Sequence, residues 1–254
     1  ARYAMALGEV AGNGAERIAG AIGRLGASYR PDLHPDTDTA VPLFREIAEI
    51  LAPACDLLIC ETVVSLAHAR DILAATTPMD KPVWLALSVD DDDGTKLRSG
   101  EPLSELSTLL QDHTPDAILL NCSRPEAITQ GLPHLAKLGL PFGAYANGFT
   151  HISDGFLGAA PTVDALTERH DLGPKDYAKF ALSWVDMGAT IIGGCCGTTP
   201  EHLRSMREAL ETHPRGPRPT LEQITERLGG FSSESDGTDG AGPAPRVTRR
   251  RART

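Results

Sequence analysis

Short apolar runs recur along the chain and form its strongest pattern. Within each run the apolar residues are nearly continuous and do not alternate with polar ones. Continuous runs of this length are typical of strands that are buried on both faces of a sheet. The pattern predicts six strands, over residues 17–23, 55–62, 82–89, 116–122, 141–147 and 189–195.

Segments with apolar residues at helical spacing separate these runs. They predict helices over residues 42–54, 65–75, 100–113, 123–139 and 173–188, and one more that starts after Thr199. Ser123 and Glu126 have the spacing of a capping box, which predicts the start of the fourth of these helices. Pro133 lies inside the same helix and is expected to kink or split it.

The alternation of strands and helices predicts a parallel sheet with helices outside it. Two architectures have this pattern, a (β/α)8 TIM barrel and an open doubly wound sheet. No Gly-x-Gly-x-x-Gly segment follows a strand to favour the doubly wound sheet. Six βα units are visible, and residues 1–9 resemble a helix with no strand before it. We therefore expect an α/β fold of the barrel type that is N-terminally incomplete and lacks its first two βα units.

The composition changes near residue 229. Residues 229–254 consist mainly of Gly, Ser, Pro and charged residues, with almost nothing to bury. Such a composition is typical of disorder. We expect a barrel domain over residues 1–228 and a disordered C-terminal tail over 229–254.

Charge and cysteine content narrow the class of protein. The net charge of −10 disfavours non-specific binding to nucleic acid or to an anionic membrane. No apolar run approaches the length of roughly 20 residues that a membrane span needs. Five irregularly spaced cysteines do not form the pattern of a secreted disulfide scaffold. These features predict a cytoplasmic protein with no nucleic-acid or membrane partner.

Three of the cysteines fall at the ends of predicted strands. Cys122 ends the run at 116–122, and Cys195 and Cys196 end the last run. The carboxyl ends of the strands carry the ligand site in this class of fold. Three cysteines with a fourth position open are the donor set of a catalytic zinc site. The alternative is that Cys122 is a small buried apolar residue and that the adjacent pair is incidental in a Gly-rich turn. Cys55 and Cys60 are assigned to the core.

Several segments together resemble the homocysteine S-methyltransferase family. They are "LLNCSRPEAI", "YANG" and "GATIIGGCCGTTPEHL", with weaker matches at "RIAGAIG" and "CDLLICETV". The resemblance covers about residues 5–210. The family begins with an Asp-Gly-Gly segment on its first strand, and this chain has no such segment. The chain is therefore expected to be a fragment or to have lost part of the family's site.

The resemblance implies a specific site as well as a (β/α)8 barrel. It implies a zinc ion held by Cys122, Cys195 and Cys196, with the thiol of homocysteine at the open position. Glu61 matches the family glutamate that contacts the substrate amino group. Asn147 lies in the family's Tyr-x-Asn segment near the site, and the resemblance implies that it is the second substrate-binding residue.

The implied function is zinc-dependent transfer of a methyl group to the thiol of homocysteine, giving methionine. The donor is expected to be a small sulfonium or ammonium compound, such as S-methylmethionine, S-adenosylmethionine or a betaine. Two alternatives stay open. One is a redox protein that uses Cys195 and Cys196 as a dithiol pair. The other is a catalytically silent barrel remnant that serves as a binding module.

Two further features are weaker candidates for a role in the site. Four adjacent aspartates at 90–93 repel one another, so the stretch is expected to be a solvated loop and not a cation site. His151 follows the run at 141–147 and is a minor candidate for contact with the methyl donor.

Overall fold

The computed structural model describes residues 17–153, 155–158, 162–214 and 217–228. The helix predicted at residues 1–9 and the tail predicted at 229–254 lie outside these ranges. Among the described residues, every helix is too short or too polar to span a bilayer.

Six parallel strands form a single sheet in the described chain. They are β1 (Ala19–Ile22), β2 (Leu57–Val63), β3 (Val83–Leu87), β4 (Ala117–Asn121), β5 (Phe142–Ala146) and β6 (Ile191–Gly194). Each strand pairs with the next strand along the chain, in the order β1 to β6. A doubly wound sheet reverses its strand order at a switch point, and this sheet does not. The sheet curls into a half-barrel, so the α/β barrel class predicted from the sequence is confirmed.

Seven α-helices accompany the sheet in the described ranges. They are α1 (Thr37–Leu51), α2 (Leu66–Thr76), α3 (Leu106–Leu109), α4 (Pro125–Leu135), α5 (Pro174–Asp186), α6 (Pro200–Thr212) and α7 (Leu221–Leu228). The helices and the sheet share one large apolar core, which includes Leu58, Leu85, Ile118 and Trp184. The predicted positions of Cys55 and Cys60 in this core are confirmed, since both thiols are buried.

The first helix begins five residues before its predicted start at Pro42. The Asp36 side chain accepts a hydrogen bond from the Thr39 N–H at 2.9 Å and caps α1. Pro42 therefore lies inside the helix, where it removes one backbone hydrogen bond. The N-cap signal at Asp36 was missed because proline at the start of a helix was given more weight.

The start predicted for the fourth helix is wrong. Helix α4 begins at Pro125 and has no side-chain cap. The Ser123 hydroxyl instead accepts from the Val89 N–H at 2.9 Å and donates to the Val89 carbonyl at 3.0 Å. Ser123 thus joins the ends of β3 and β4. Pro133 does not split the helix, which continues to Leu135 and ends in a 3-10 turn.

The helix predicted over 100–113 is much shorter than expected. A 3-10 turn at Leu103–Glu105 leads into α3, which has a single turn. The apolar residues of this segment are nevertheless buried, namely Leu103, Leu106 and Leu110. The apolar stripe was therefore predicted correctly, but the residues that carry it do not form one continuous helix.

Candidate metal centre

The three cysteines predicted at the strand ends come together in space. Their sulfur atoms all lie within 4.8 Å of one another. The Cys122 Sγ is 3.7 Å from the Cys196 Sγ, and the Cys195 and Cys196 sulfurs are 3.9 Å apart. The curled sheet brings the ends of β4 and β6 to one rim, although β5 separates these strands.

Backbone geometry orients these thiols toward each other. Cys122 directly follows β4 and has a left-handed φ of 47°. The Cys195 N–H donates to the Ala146 carbonyl at 3.0 Å, so the pairing of β5 with β6 continues to the first cysteine of the pair. Gly193 and Gly194 are the last two residues of β6, so the strand continues up to the cysteine pair. The left-handed residue is Gly197, with φ of 77°, which follows the cysteine pair.

Close packing also explains why glycine follows the pair. A Cβ on Gly197 would lie 3.2 Å from the backbone of Gly148. The Gly148 N–H donates to the Cys196 carbonyl at 2.8 Å. The turn after β5 therefore packs directly against the turn that carries Cys196.

Exposure increases across the three thiols. Cys122 is buried, Cys195 is half-buried and Cys196 is exposed. Hydrogen bonds with the Cys122 and Cys195 thiols lower the pKa of Cys196 below its usual range. A lowered pKa favours the thiolate, which is the form of cysteine that binds metals.

Tyr29 belongs to this group of side chains, and no pattern in the sequence predicted it. Its hydroxyl donates to the Cys122 Sγ at 2.9 Å. The Arg98 guanidinium lies over its ring, 4.8 Å from the centroid. Burial raises the pKa of the Tyr29 hydroxyl, which therefore stays protonated and remains a donor at neutral pH. Tyr29 comes from the loop after β1, in a stretch without apolar periodicity.

Glu61 lies on β2 at the same rim. The Tyr145 hydroxyl, from β5, donates to the Glu61 Oε2 at 3.2 Å. Burial raises the pKa of Glu61, the hydrogen bond from Tyr145 lowers it, and the nearby Cys196 thiolate raises it again. The net effect is a raised pKa, as expected for a half-buried carboxylate close to thiolate charge.

The amide of Asn121 connects the end of β2 to the end of β4. Its Oδ1 accepts from the Thr62 N–H at 3.2 Å, and its Nδ2 donates to the Thr62 Oγ1 at 3.3 Å. Thr62 has a left-handed φ of 57°, which is uncommon for a β-branched residue. Thr62 follows Glu61, and Asn121 precedes Cys122. The two hydrogen bonds therefore join the strand ends that carry these two candidate site residues.

Asn147 is buried, with 1% of its surface exposed. Its Oδ1 accepts from the Phe149 N–H at 3.2 Å, and its own N–H donates to the Ser123 carbonyl. These contacts shape the turn after β5. The substrate contact expected of Asn147 stays a prediction.

The acidic stretch 90–93 is not simply a solvated loop. The Asp91 carboxylate is 9% exposed, lies 2.8 Å from the Arg98 Nη2 and accepts from the Ile152 N–H at 2.8 Å. Asp93 does face solvent, where it pairs with Lys96. Our expectation was wrong for Asp91 because it ignored a cation seven residues further along the chain. His151 is exposed and lines a cavity beside this stretch.

The donor set of the three-cysteine group suits a soft metal ion. Three sulfur atoms close together at a partly open rim can hold zinc and leave a position for a further ligand. The fold and this group define a class of protein, an α/β half-barrel with a candidate thiolate metal centre at the carboxyl ends of its strands.

Comparison with known proteins identifies the family. The family model for homocysteine S-methyltransferase matches residues 1–210, and the chain belongs to this family. It is 28% identical over 201 residues to the homocysteine S-methyltransferase of Escherichia coli K12, covering 75% of this chain and 61% of that protein. It is 27% identical over 199 residues to the homocysteine S-methyltransferase YbgG of Bacillus subtilis 168, covering 74% and 60%. The chain thus spans about 60% of the length of these relatives.

Solved structures support the same family. The metallated form of the homocysteine methyltransferase MmuM from Escherichia coli superposes with a TM-score of 0.60 at 25% identity, covering 81% of this chain and 65% of that one. Its apo form gives a TM-score of 0.59 at 24% identity, covering 82% and 67%. Because the apo form is only 24% identical to this chain, its structural similarity supports the fold alone.

Proposed function

We propose that this chain takes part in zinc-dependent methyl transfer from a sulfonium or ammonium donor to the thiol of homocysteine, giving methionine. The observation that carries the proposal is the group of three thiols within 4.8 Å of one another at the rim. The names of the relatives, homocysteine S-methyltransferases, and the metallated form of MmuM support it.

Cys122, Cys195 and Cys196 would hold the zinc ion. When bound, zinc favours the deprotonated form of a thiol at neutral pH, at which a free thiol is mostly protonated. Cys196 is exposed and would face the incoming substrate, whereas Cys122 is buried and contacts Tyr29.

Glu61 would bind the ammonium group of homocysteine through a charge-assisted hydrogen bond. Tyr145 restrains the Glu61 carboxylate, and Asn121 fixes the end of its strand, so the carboxylate is held before substrate arrives. Such preorganisation places the substrate sulfur relative to the thiols. Asn147 would shape the floor of the site through the turn after β5.

The reaction itself is a displacement at carbon. A new bond forms between the substrate sulfur and the methyl carbon, and the bond from that carbon to the positive sulfur or nitrogen of the donor breaks. The electron pair of the broken bond stays on the donor, which becomes neutral. The thiol proton leaves before this step, when the substrate thiolate forms.

Metal content tests the proposal directly. Serine at position 122, 195 or 196 is expected to lower the zinc content of the purified protein sharply, measured by mass spectrometry of the metal. Cys55→Ala is the matched control, because Cys55 is a buried thiol outside the group. A single Ser variant of the group that retains full zinc shows that its cysteine is not a ligand.

Methyl transfer from S-methylmethionine to homocysteine is then measured on the zinc-loaded full chain. Turnover that depends on the three cysteines supports the proposal. Stoichiometric zinc without any turnover would contradict it and favour a silent barrel remnant.

The redox alternative has a specific observation in its favour. The Cys122 and Cys196 sulfurs are 3.7 Å apart, slightly closer than those of the adjacent pair Cys195 and Cys196. If the group acts as a dithiol, the isolated protein holds no zinc and mild oxidant forms a disulfide, which peptide mapping identifies.

A further inference from the structure

A buried ion pair joins two segments that lead to the thiols. The Arg169 Nη1 donates to the Glu126 Oε1, and the two side chains are 7% and 6% exposed. Asp171 accepts from the Arg169 Nε at 2.9 Å and from its Nη2 at 2.6 Å, and this bidentate contact fixes the plane of the guanidinium. Charges are rarely buried this deeply unless they are paired. The pair therefore fixes the segment of Arg169 to the start of α4, where Glu126 lies.

The Glu126 end of the pair is close to Cys122 along the chain. Cys122 directly follows β4, α4 begins at Pro125, and Glu126 lies in the first turn of this helix. The Arg124 guanidinium also approaches the Glu126 carboxylate, but at 3.8 Å it is beyond hydrogen-bond distance. A displacement of the start of α4 therefore moves the backbone that carries Cys122, and Arg169 opposes such a displacement.

The Arg169 end of the pair leads to Cys196 through backbone hydrogen bonds. The Arg169 N–H donates to the Gly148 carbonyl at 2.9 Å, and the Gly148 N–H donates to the Cys196 carbonyl at 2.8 Å. Phe149 and Glu168 form an antiparallel bridge beside the first of these bonds, so the two segments are paired over a short ladder. Arg169 is thus one bonded residue away from the turn that carries Cys196.

We propose that Arg169 is a positioning residue that holds Cys196 against Cys122. Its side chain binds the start of the helix after Cys122, and its backbone supports the turn of Cys196 through Gly148. The separation of 3.7 Å between the two sulfurs therefore depends on a residue outside the group of thiols. The importance of this role for zinc rests on the proposed function, in which both thiols are ligands.

Pairing of the thiols in the metal-free full chain tests the proposal without zinc. In a glutathione redox buffer, a Cys122–Cys196 disulfide forms as two protein thiols are oxidised and one glutathione disulfide is reduced to two glutathione molecules. The equilibrium constant reports how readily the two sulfurs meet, and peptide mapping identifies the linked cysteines. Arg169→Met is expected to lower this constant roughly 3- to 30-fold, the range in which residues outside a site alter it. An unchanged constant would overturn the proposal.

Zinc affinity then measures the consequence for the candidate metal centre. Arg169→Met is expected to weaken zinc binding roughly 10-fold in competition with a chromophoric chelator, the lower end of the range for residues that orient metal ligands. The loss is expected because a ligand set that is no longer held together must be ordered when the metal binds. Zinc affinity equal to that of the unaltered chain would contradict the role at the metal centre.

A matched control separates positioning from a general loss of stability. Arg227 pairs with Asp186 at 3.0 Å, and Asp186 lies at the end of α5 that precedes β6, whereas the thiols follow the strand ends. Arg227→Met is expected to retain both the disulfide constant and the zinc affinity. If it lowers both as much as Arg169→Met does, loosening of the whole fold explains the effect and the proposal fails.

A double variant guards against misfolding. Arg169→Met alone leaves the Glu126 carboxylate buried without its closest cation, which destabilises the chain. Arg169→Met combined with Glu126→Gln removes both charges and is expected to fold. Its losses should be no larger than those of Arg169→Met, because the two residues act through one contact. A folded double variant with the disulfide constant of the unaltered chain would refute the proposal.

These results separate the inference from the proposed function. Zinc binding and methyl transfer in the unaltered chain, together with an unchanged disulfide constant in Arg169→Met, would refute the role of Arg169 alone. A lowered disulfide constant in a chain that binds no zinc would support the role of Arg169 in holding the two thiols together and refute the zinc-dependent function.

Discussion

The hydroxyl of Tyr29 is the best position at which to test how the protein holds the candidate metal centre. It donates to the Cys122 Sγ at 2.9 Å, and Tyr29→Phe removes this donor alone. The ring keeps its edge contact with Phe156, at 5.9 Å between centroids, and its contact with Arg98. The substitution therefore changes one hydrogen bond and leaves the packing of the loop after β1 in place.

The expected size of the effect follows from burial. Tyr29 is 9% exposed and Cys122 is 4% exposed, so water does not readily replace the lost hydroxyl. Loss of one such hydrogen bond destabilises a protein by about 0.5–1.5 kcal/mol. A partner that orients a metal ligand contributes more to metal binding, roughly 10- to 100-fold in affinity. We expect Tyr29→Phe to weaken zinc binding within that range and to lower the melting temperature of the metal-free chain by a few degrees.

Competition with a chromophoric chelator measures zinc affinity, and thermal unfolding of the metal-free protein measures stability. Tyr145→Phe is the matched control, because Tyr145 is a tyrosine at the same rim whose hydroxyl donates to Glu61 and not to a thiol. The control is expected to retain zinc affinity. If Tyr29→Phe binds zinc as tightly as the unaltered chain, the hydroxyl does not orient Cys122 and the reasoning fails.

Two further predictions concern Glu61 and a buried histidine. Glu61→Gln is expected to lower kcat/KM for homocysteine roughly 10- to 150-fold, because it removes a charge-assisted contact. The zinc content of the variant is expected to stay unchanged. An unaltered kcat/KM in steady-state assays would exclude the contact. His68 is fully buried against Phe44 and His34, and burial lowers its pKa to about 3. The unfolded chain therefore binds a proton at higher pH than the folded chain, so stability is complete above about pH 6.5 and falls as the pH drops toward 3. Denaturant unfolding should show a loss of up to about 2 kcal/mol at pH 5 relative to pH 7. His68→Phe should reduce this loss, and an equal loss in the variant would show that other groups cause it.

The sequence by itself determined the strands and the location of the cysteines on them. A strand buried on both faces needs a continuous apolar run, and that requirement is local, so all six runs could be identified from neighbouring residues. The carboxyl ends of parallel strands share one rim, so the positions of Cys122 and Cys195 in their runs predicted a meeting of thiols. Helix ends were less predictable, because local signals competed there. Pro42 was predicted as the start of a helix that Asp36 caps, and Ser123 was predicted to cap a helix that begins at Pro125 without a side-chain cap.

Only the tertiary structure decided which side chains complete the site. Tyr29 is 93 residues from Cys122 along the chain, and its loop has no periodicity that could indicate this contact. The pairing of Asp91 with Arg98 depends on how the loop after β3 folds back on itself. As a result, part of the acidic stretch that was predicted to be solvated lines a cavity. The reason is physical. Local spacing determines whether a residue lies in a strand or helix, whereas contacts between loops depend on the curvature of the sheet and on packing between segments that are distant in the chain.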